Sequence, residues 1–413
     1  MKFDLNVIEI RPKPALMELI WNKLPLKEAE VSLAKVLRCG QTFRWKSINN
    51  VWSFAILDRI VLLKQDQDYI YYSQILAKLQ SQTNGANRLL QHTSKGDESI
   101  STLSFIQDYF ALDVKLTDLY QQWKLNHKPY ITTKVKQQEQ QSPFDLFSGI
   151  RTLRQDPWEC LISFICSSNN NVKRILKMCD NLCIHFGNYI NDYQGVPFYS
   201  FPSPQQLSSD PSVELKLREL GFGYRAKYIY QTACKFTDDV NFPDINLDNL
   251  VKLRHASYEE AHEFLLQLTG VGPKVADCIC LMSLDKSNIV PIDTHVYQIA
   301  VRDFKYKGGK REVKTLNKAM HDDIRRFFQD IFGEYAGWAQ SVLFAADLTD
   351  LNNGVNIIEV KKEDGGDEKV EMKIDREDNG FNVDAKRTRS IKLESGNKRV
   401  KTIKTEASIV VKS

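Results

Sequence analysis

The chain has 413 residues, of which 42% are hydrophobic, 26% charged and 10% aromatic. This is ordinary globular composition, and it excludes collagen-like, coiled-coil and wholly disordered chains. A chain of this length is expected to form two or three domains. The 56 Lys and Arg residues outnumber the 52 Asp and Glu residues by four, a bias too weak to indicate a nucleic-acid partner from net charge alone.

The eight cysteines lie between residues 39 and 280. Several fall in apolar runs that are predicted to be helical, which favours free, buried thiols in a reducing compartment. Cys179, Cys183 and His185 are close in sequence, but they lack a second pair of ligands, so we predict no metal site.

No apolar run approaches the roughly 20 residues that cross a membrane, and no membrane contact is predicted. The N-terminal segment includes Asp4 and Glu9, which is typical of neither a secretory signal nor a clean mitochondrial presequence. A cryptic organelle signal stays open at this point.

The N-terminal third alternates short runs of β-branched and aromatic residues with turn residues such as Gly40 and the pair Asn49 and Asn50. This alternation is typical of strands joined by tight turns. Strands are predicted at residues 32–39, 41–45, 51–57, 60–64 and 69–73, and helices at 103–110 and 117–123. We predict an α+β N-terminal domain, residues 1–142, dominated by an antiparallel sheet and ending in a polar linker.

From residue 143 onward, apolar residues recur at helical spacing. Asp156 followed by Pro157 is typical of an N-cap and the first residue of a helix. Further helices are predicted near 172–186, 213–219, 224–237, 258–268, 274–284, 294–303, 313–331 and 334–347. Loops separate them, the longest near 187–211. We predict a mainly α-helical domain over residues 143–350.

The apolar periodicity ends near residue 350. Residues 359–378 hold nine acidic and five basic residues, whereas 386–404 hold eight basic residues and one acidic residue. Such segregated charge predicts a disordered tail, residues 351–413. The basic block is interpreted as a nuclear-import signal, a phosphate-binding arm or a merely solvating segment, and we favour nuclear import.

Residues 261–284 predict two apolar helices joined by a short turn that contains Gly270 and Gly272. Glycines allow unusual backbone angles and close approach of a phosphate to the amides. The second helix begins at Pro273, so its free N–H groups and positive dipole end form a site for an anion such as a DNA phosphate.

Lys274 lies in the first turn of that second helix. The helix dipole and partial burial both disfavour a cation there, which predicts a lowered pKa and a nucleophilic amine. The alternative is a surface lysine that touches the DNA backbone, and spacing alone does not separate the two.

Asp293 follows an apolar run and precedes the helix predicted at 294–303. It is suited to N-cap that helix. A carboxylate opposite an amine also fits cleavage of an N-glycosidic bond, because it stabilises positive charge on the sugar and assists deprotonation of the amine. The two roles are compatible.

Three further segments have both a functional and an ordinary interpretation. The run of asparagines that begins at Asn169 is either a helix terminus or a loop at a DNA gap. Residues 221–228 are either a helix cap or a loop that inserts an aromatic wedge between bases. Gln340 and Phe344 share one helix face, where an amide reads a base edge and an aromatic ring stacks on a base, or where both belong to the core.

The turn at 269–273 resembles the helix–hairpin–helix of the DNA glycosylase superfamily. This turn and five other motifs follow one another in the order found in the eukaryotic 8-oxoguanine DNA glycosylase/AP lyases. The chain resembles that family over most of residues 30–350. The motifs lie at residues 39–45, 163–171, 220–226, 267–285, 291–295 and 336–344.

The resemblance implies a role for each matching residue. Lys274 would attack C1′ of the damaged nucleoside to form a Schiff base, supported by Asp293. The carbonyl of Gly40 would accept a hydrogen bond from the N7–H group that 8-oxoguanine has and guanine lacks. The remaining roles are base binding by Cys278, Gln340 and Phe344, contact with the opposite cytosine by Asn169, Arg174 and Arg225 with Tyr224 as wedge, phosphate binding by Gly270, Gly272 and His295, and orientation of His295 by Asp347.

By the same resemblance, the N-terminal sheet is TATA-binding-protein-like. The implied activity is excision of 8-oxoguanine and formamidopyrimidine-guanine opposite cytosine, by base flipping, Schiff-base formation and β-elimination. It needs no cofactor. The implied partner is double-stranded DNA that contains oxidised guanine, and the implied protein is a nuclear monomer, with a mitochondrial pool left open. The alternative is a noncatalytic helix–hairpin–helix module that only binds DNA.

Overall fold

The N-terminal part of the molecule is built on a β-sheet whose first five strands run antiparallel, as predicted. The computed structural model describes residues 19–78, 101–130, 142–308 and 318–347, together with the backbone of 357–360 and 370–371. The five strands are β1 (Asn22–Pro25), β2 (Lys46–Ile48), β3 (Val51–Ala55), β4 (Arg59–Gln65) and β5 (Tyr69–Leu76).

Both faces of this sheet are covered. Along β4, Val61 and Leu63 join one apolar cluster while Ile60 and Leu62 join another, as the alternation of side chains along a strand requires. The first cluster includes side chains of a helix, Thr102–Tyr109, that packs on the sheet.

A hairpin from the helical part covers the second face of the sheet. It occupies much of the segment 187–211, where we predicted a loop, and that prediction was wrong. Two short strands, Tyr189–Tyr193 and Val196–Tyr199, pair antiparallel. Gln194 and Gly195 between them both have positive φ, 52° and 74°, which a type I′ hairpin turn requires. Its side chains in the cluster are Ile190, Tyr193, Val196 and Phe198.

The segment between residues 32 and 45 also differs from its predicted strands. Leu33–Val36 form one helical turn, and residues 39–45 have no regular structure. Leu33, Val36 and Leu37 are all buried, and their spacing of three and four residues is that of a helix face. The apolar run was read with the wrong period.

Helices make up most of the remaining described residues, and most of them lie close to their predicted positions. In chain order they are α1 (Leu33–Val36), α2 (Thr102–Tyr109), α3 (Leu116–His127), α4 (Pro143–Leu146), α5 (Pro157–Ser167), α6 (Val172–Phe186), α7 (Pro204–Leu207), α8 (Ser212–Glu219), α9 (Arg225–Lys235), α10 (Leu247–Lys252), α11 (Tyr258–Leu266), α12 (Pro273–Ser283), α13 (Thr294–Phe304), α14 (Lys318–Phe332) and α15 (Ala336–Asp347). The hairpin strands are β6 (Tyr189–Tyr193) and β7 (Val196–Tyr199). α12 is central, with nine of its side chains buried.

The predicted boundary at residue 142 does not separate two cores. α3 precedes it, yet Trp123 of α3 packs against Phe144, with ring centroids 5.6 Å apart, inside the core of the helical part. Elements on each side of the boundary therefore complete the core of the other, and the division itself stays a prediction.

Two short strands lie within the tail that we predicted to be disordered. β8 (Ile357–Val360) pairs parallel with β2, and β9 (Val370–Glu371) pairs antiparallel with β8. They extend the sheet to the order β1-β5-β4-β3-β2-β8-β9. The basic block at 386–404 lies outside the described residues.

All eight cysteines lie in the described part of the chain, where each is unbridged and seven are buried. This agrees with the prediction of free, buried thiols. In the same described ranges, no helix is long and apolar enough to cross a membrane.

Truncation after residue 350 removes β8 and β9 and leaves the edge of β2 unpaired. We expect the midpoint of thermal unfolding to fall by a few degrees, since about 1 kcal/mol shifts a domain of 150–250 residues by about 2–4 °C. Because every predicted site residue precedes residue 350, covalent trapping on lesion-containing DNA should persist. Loss of trapping would make the tail part of the catalytic unit.

Candidate active site

The turn between α11 and α12 presents the start of α12 to solvent. Gly270 has φ +86°, and a Cβ there would lie 2.7 Å from the ring of Tyr228, so only glycine fits. Around Gly272, by contrast, a Cβ would meet no described atom within 4 Å. No described side chain caps α12, and the N–H groups of Lys274 and Val275 are left free for an anion.

Lys274 and Asp293 face each other across this helix start. Lys274 Nζ lies 4.0 Å from Asp293 Oδ2, and the two side chains are 38% and 28% exposed. Cys278, one turn further along α12, is buried beside the lysine. The amine, the carboxylate and the thiol therefore form one cluster, although Lys274 and Asp293 are nineteen residues apart in the sequence.

The pKa of Lys274 moves in the opposite direction from our prediction. Cys278 and the Asp293 carboxylate raise it above its ordinary value, and they outweigh the lowering by burial. The prediction was wrong because it considered the helix dipole and burial but not these two through-space neighbours. Burial raises the pKa of the Cys278 thiol to about 11. In the free protein at neutral pH, Lys274 is therefore an ammonium ion.

The two carboxylate oxygens of Asp293 have different neighbours. Its Oδ1 accepts hydrogen bonds from the backbone N–H groups of His295 and Val296, both at 3.0 Å. These bonds cap α13. The other oxygen, Oδ2, is the one that faces Lys274. The N-cap role and the proximity to the amine, both inferred from the sequence, coexist in one side chain.

Gly40 lies in a loop that the buried side chain of Gln41 holds in place. Gln41 Nε2 donates to the carbonyl of Arg151 at 2.9 Å, and its Oε1 accepts from Leu153 N at 3.0 Å. The same segment reaches α12, since Gln155 N donates to the carbonyl of Met282 at 3.0 Å. These bonds fix the Gly40 loop relative to α12. Sequence reasoning gave no role to Gln41, although it lies in a motif that we quoted.

α15 carries Gln340 and Phe344. Its approach to α12 depends on Gly337, where a Cβ would collide with the Ile289 carbonyl and lie 2.6 Å from Leu281 Cδ1. The ring of Phe344 meets the ring of His295 edge-on, with centroids 6.2 Å apart. α13 and α15 are therefore adjacent where these two predicted site residues lie.

The side chain of Gln340 is poised for a ligand. The residue is only 5% exposed, yet its amide makes no hydrogen bond to any other described residue. The polar atoms of this amide still contact solvent. A buried amide normally has a partner, so an amide that still reaches solvent is suited to read an incoming polar edge.

A second cluster gathers the residues predicted to contact the opposite base. Arg174 donates to the carbonyl of Gly221 at 2.9 Å. Tyr224 Oη donates to the carbonyl of Ser168 at 3.0 Å, and Arg225 donates to the carbonyls of Ser168 and Asn169. The loops at 168–171 and 221–225 are thus held together, as the predicted shared role requires.

Comparison with known proteins gives this arrangement a family. The family model for the 8-oxoguanine DNA glycosylase N-terminal domain matches residues 23–161, and that for the HhH-GPD superfamily of base excision DNA repair proteins matches 162–321. The chain is 38% identical to the N-glycosylase/DNA lyase of Saccharomyces cerevisiae over 83% of this chain and 90% of the yeast protein. The chain belongs to the 8-oxoguanine DNA glycosylase/lyase family.

Two further relatives agree. The N-glycosylase/DNA lyase OGG1 of Arabidopsis thaliana is 35% identical over 79% of this chain and 80% of its own length. The Clostridium acetobutylicum 8-oxoguanine glycosylase/lyase, solved with dsDNA containing cytosine opposite 8-oxoG, is 25% identical with a TM-score of 0.58, covering 80% of this chain and 97% of that chain. The resemblance drawn from the motifs is confirmed, and the chain is a glycosylase and lyase of base excision repair.

Two residues of this glycosylase/lyase have contacts that differ from their predicted roles. Arg225 is 3% exposed and its guanidinium is engaged with backbone carbonyls, so it must rearrange before it reaches a base. Asp347 accepts a hydrogen bond from Arg302 at 2.9 Å, and among the described contacts it makes none to His295. The predicted orientation of His295 by Asp347 is therefore not found among the described contacts, in which the carboxylate accepts from Arg302 on the same helix as His295.

Sequence reasoning missed a buried carboxylate on α12, the helix that carries Lys274. Asp277 is fully buried, and it accepts from Tyr258 Oη at 2.7 Å and from Arg325 Nη2 at 2.6 Å. Burial raises the pKa of Asp277, although the guanidinium opposes this. The three residues tie α11, α12 and α14 together behind the active site. An acid within an otherwise apolar helix was the signal that could have revealed it.

The divided role of Asp293 predicts how Asp293→Asn behaves. Asn retains the capping oxygen, so we expect almost no loss of stability, whereas Asp293→Ala should lose about 1 kcal/mol. The neutral amide no longer raises the pKa of Lys274, which falls, but the amide also accepts no proton from the amine. Borohydride trapping should be slow at neutral pH and should accelerate as pH rises, by up to about tenfold per unit below the lowered pKa.

Wild-type trapping supplies the control for this profile. Transfer of a proton from Lys274 to Asp293 leaves the net protonation unchanged, so the wild-type rate should vary little across neutral pH. An Asn variant with the wild-type rate and the same flat profile would show that Asp293 does not receive the proton.

Proposed function

We propose that this glycosylase/lyase excises 8-oxoguanine opposite cytosine, and formamidopyrimidine-guanine at the same position, and then cuts the strand. The observation that carries the proposal is the pairing of Lys274 and Asp293 at 4.0 Å beside an uncapped helix start. The motif resemblance and the activities of the relatives support the choice of base. That cytosine lies opposite 8-oxoG in the DNA bound by the Clostridium protein supports the choice of partner base.

The chemistry begins with a proton transfer. Because its pKa is raised, Lys274 enters as the ammonium ion, and Asp293 is the neighbouring base that accepts a proton. The neutral amine attacks C1′ as the N-glycosidic bond breaks, and the bonding electrons leave with the base, which is then protonated. The proton on the base is the one that Asp293 received, and the restored carboxylate stabilises the positive charge at the sugar and on the nitrogen now bonded to C1′.

Strand cleavage follows from the covalent product. The nitrogen bonded to C1′ loses a proton, and its lone pair then breaks the C1′–O4′ bond, so that O4′ leaves as a hydroxyl after taking up a proton and the sugar ring opens to an iminium ion. The iminium ion acidifies the C2′ proton. Loss of that proton expels the 3′ phosphate by β-elimination, and water then hydrolyses the Schiff base to release Lys274. The N–H groups at the start of α12 are free to hold a DNA phosphate during these steps.

Recognition of the base is assigned to three elements. The carbonyl of Gly40 accepts the N7–H of 8-oxoguanine, whereas in guanine two acceptors would oppose each other and the contact would be unfavourable. Gln340 pairs with the base edge, which fits its free and nearly buried amide. Cys278 and Phe344 lie on either side of the flipped base, and Phe344 leaves His295 to do so.

The opposite strand is assigned to the second cluster. Asn169, Arg174 and Arg225 contact the unpaired cytosine, and Tyr224, which is half exposed, inserts as the wedge. His295 is exposed at the start of α13 and binds phosphate together with the amides of Gly270 and Gly272. The protein acts as a monomer in this proposal.

The proposed mechanism predicts the behaviour of Lys274→Gln. The variant should lose borohydride trapping on duplex DNA with 8-oxoguanine opposite cytosine and still bind that DNA in an anisotropy assay. A covalent band in the wild type that is absent in Lys274→Gln establishes both substrate and nucleophile. Activity that survives in Lys274→Gln would remove Lys274 as nucleophile, and a wild type that binds without cutting would leave a DNA-binding module.

We also propose that residues 386–404 direct the protein to the nucleus through an import receptor, supported by their eight basic residues. A fluorescent reporter fused to 386–404 should accumulate in nuclei, and the same fusion with its paired Lys-Arg residues changed to Ala should not. A full-length protein that stays nuclear without 386–404 would contradict this assignment. A mitochondrial pool is assessed in the same cells by fractionation.

A further inference from the structure

Helix α9 lies between the two halves of the site. Its N-terminal end follows directly from the loop that carries Tyr224. Along the rest of the helix, side chains contact the turn that leads into α12. The proposed mechanism gives a task to Arg225 at the start of α9 and none to the rest of the helix.

Three side chains on one face of α9 hold consecutive parts of the turn. The ring of Tyr228 lies where a Cβ on Gly270 would be. Thr232 Oγ1 donates to the carbonyl of Thr269 at 2.9 Å. These positions are four residues apart on α9, which is the spacing of neighbours on a helix face.

A third contact continues the same row. Lys235 Nζ donates to the carbonyl of Gln267 at 2.6 Å, three residues beyond Thr232 on α9. Each contact therefore engages a side of the turn that is not used for anion binding, either a carbonyl or the Cα of a glycine. The N–H groups at the start of α12 stay free while the turn is held.

The other end of α9 is fastened to the loop at 168–171. Tyr224 and Arg225 donate to the carbonyl of Ser168. Phe222, just before them, is fully buried and anchors the loop in the core. The rings of Tyr224 and Tyr228 meet edge-on, with centroids 5.5 Å apart, so Tyr228 contacts both the wedge and the glycine of the turn.

We propose that α9 couples engagement of the base opposite the lesion to the position of the turn that carries Lys274, with Tyr228 and Thr232 as positioning residues. A helix of this length behaves as a rigid body, and a packed interface shifts as a unit. When Tyr224 and Arg225 leave the Ser168 carbonyl to contact DNA, α9 carries that displacement to residues 267–270. The inference rests on the proposed function, because it takes Tyr224 and Arg225 to be the residues that meet the opposite strand.

The test is a ratio of single-turnover excision rates for 8-oxoguanine opposite cytosine and opposite adenine. Thr232 is fully buried, and Thr232→Val removes only the bond to the Thr269 carbonyl. We expect the ratio of the rate opposite cytosine to the rate opposite adenine to be about twofold to tenfold lower in the variant, which corresponds to the loss of one net hydrogen bond. Thr232→Ser keeps the hydroxyl and should restore the wild-type ratio.

Controls separate coupling from general destabilisation. Thr237→Val changes a threonine just beyond the same helix, whose hydroxyl bonds to the carbonyls of Ala233 and Cys234 on α9 and contacts the hydroxyl of Ser208, but meets no described residue of the turn. This variant should leave the ratio unchanged. A purely structural role for Thr232 would lower both rates equally, and an unchanged ratio in Thr232→Val would overturn the proposal. A wild-type ratio near one would also overturn it, since no recognition would then be transmitted.

A second pair of variants covers the case in which Thr232→Val does not fold. Tyr228 is half-buried; Tyr228→Leu removes the ring that touches both Tyr224 and Gly270, and Tyr228→Phe keeps it. The ratio should narrow in Tyr228→Leu and stay at the wild-type value in Tyr228→Phe, whereas equal ratios in the two would overturn the proposal. Failure of the proposed function gives a different result, namely no excision by the wild type with either opposite base.

Discussion

The carboxylate of Asp293 is the constraint on which the site depends. One oxygen fixes where α13 begins and the other faces the amine of Lys274. Because a single planar group serves both, the start of α13 cannot move without moving the carboxylate oxygen that faces Lys274. The start of α12 has no comparable side-chain cap in the described structure. The two helix starts thus differ in one respect: the N–H groups at the start of α13 bond to a described side chain of the protein, and those at the start of α12 do not.

The free protein satisfies internally several groups that the proposed complex uses elsewhere. Arg225 is engaged with backbone carbonyls, Arg174 with the carbonyl of Gly221, and the ring of Phe344 with His295. These contacts keep polar and aromatic groups from being buried without partners, which is costly. DNA binding must exchange them for contacts of similar strength. Gln340 is the exception, since its amide has no described partner to give up.

Local sequence patterns predicted the parts of the site that depend on neighbours along the chain. The glycines of the turn, the helix start at Pro273 and the cap at Asp293 are all local features, and each lies where the sequence placed it. The direction of the Lys274 pKa shift was missed because it depends on Cys278 and Asp293 across space. The contacts of Arg225 and Asp347 depend in the same way on the approach of separate helices. No spacing rule predicts which of two nearby partners a carboxylate will take.

The fold followed the same division. Helices with a full apolar stripe were predicted close to their bounds, whereas the short run at 33–36 has too few residues to distinguish a helical period from a strand. The hairpin at 189–199 was missed because its turn pairs Gln194 with Gly195, a weaker signal than Asn-Gly. Its role in covering the sheet was not readable at all, since the sheet lies more than a hundred residues earlier.

That distance has a consequence for biosynthesis. The second face of the sheet, with Ile60 and Leu62, is covered by residues from 190 to 198. During translation the five N-terminal strands emerge from the ribosome first. More than a hundred further residues separate β5 from the hairpin, and synthesis proceeds at about 5–20 residues per second. For several seconds to tens of seconds, the nascent chain therefore exposes an apolar sheet face. This interval is when the polypeptide is most open to chaperone capture and to aggregation with neighbouring nascent chains.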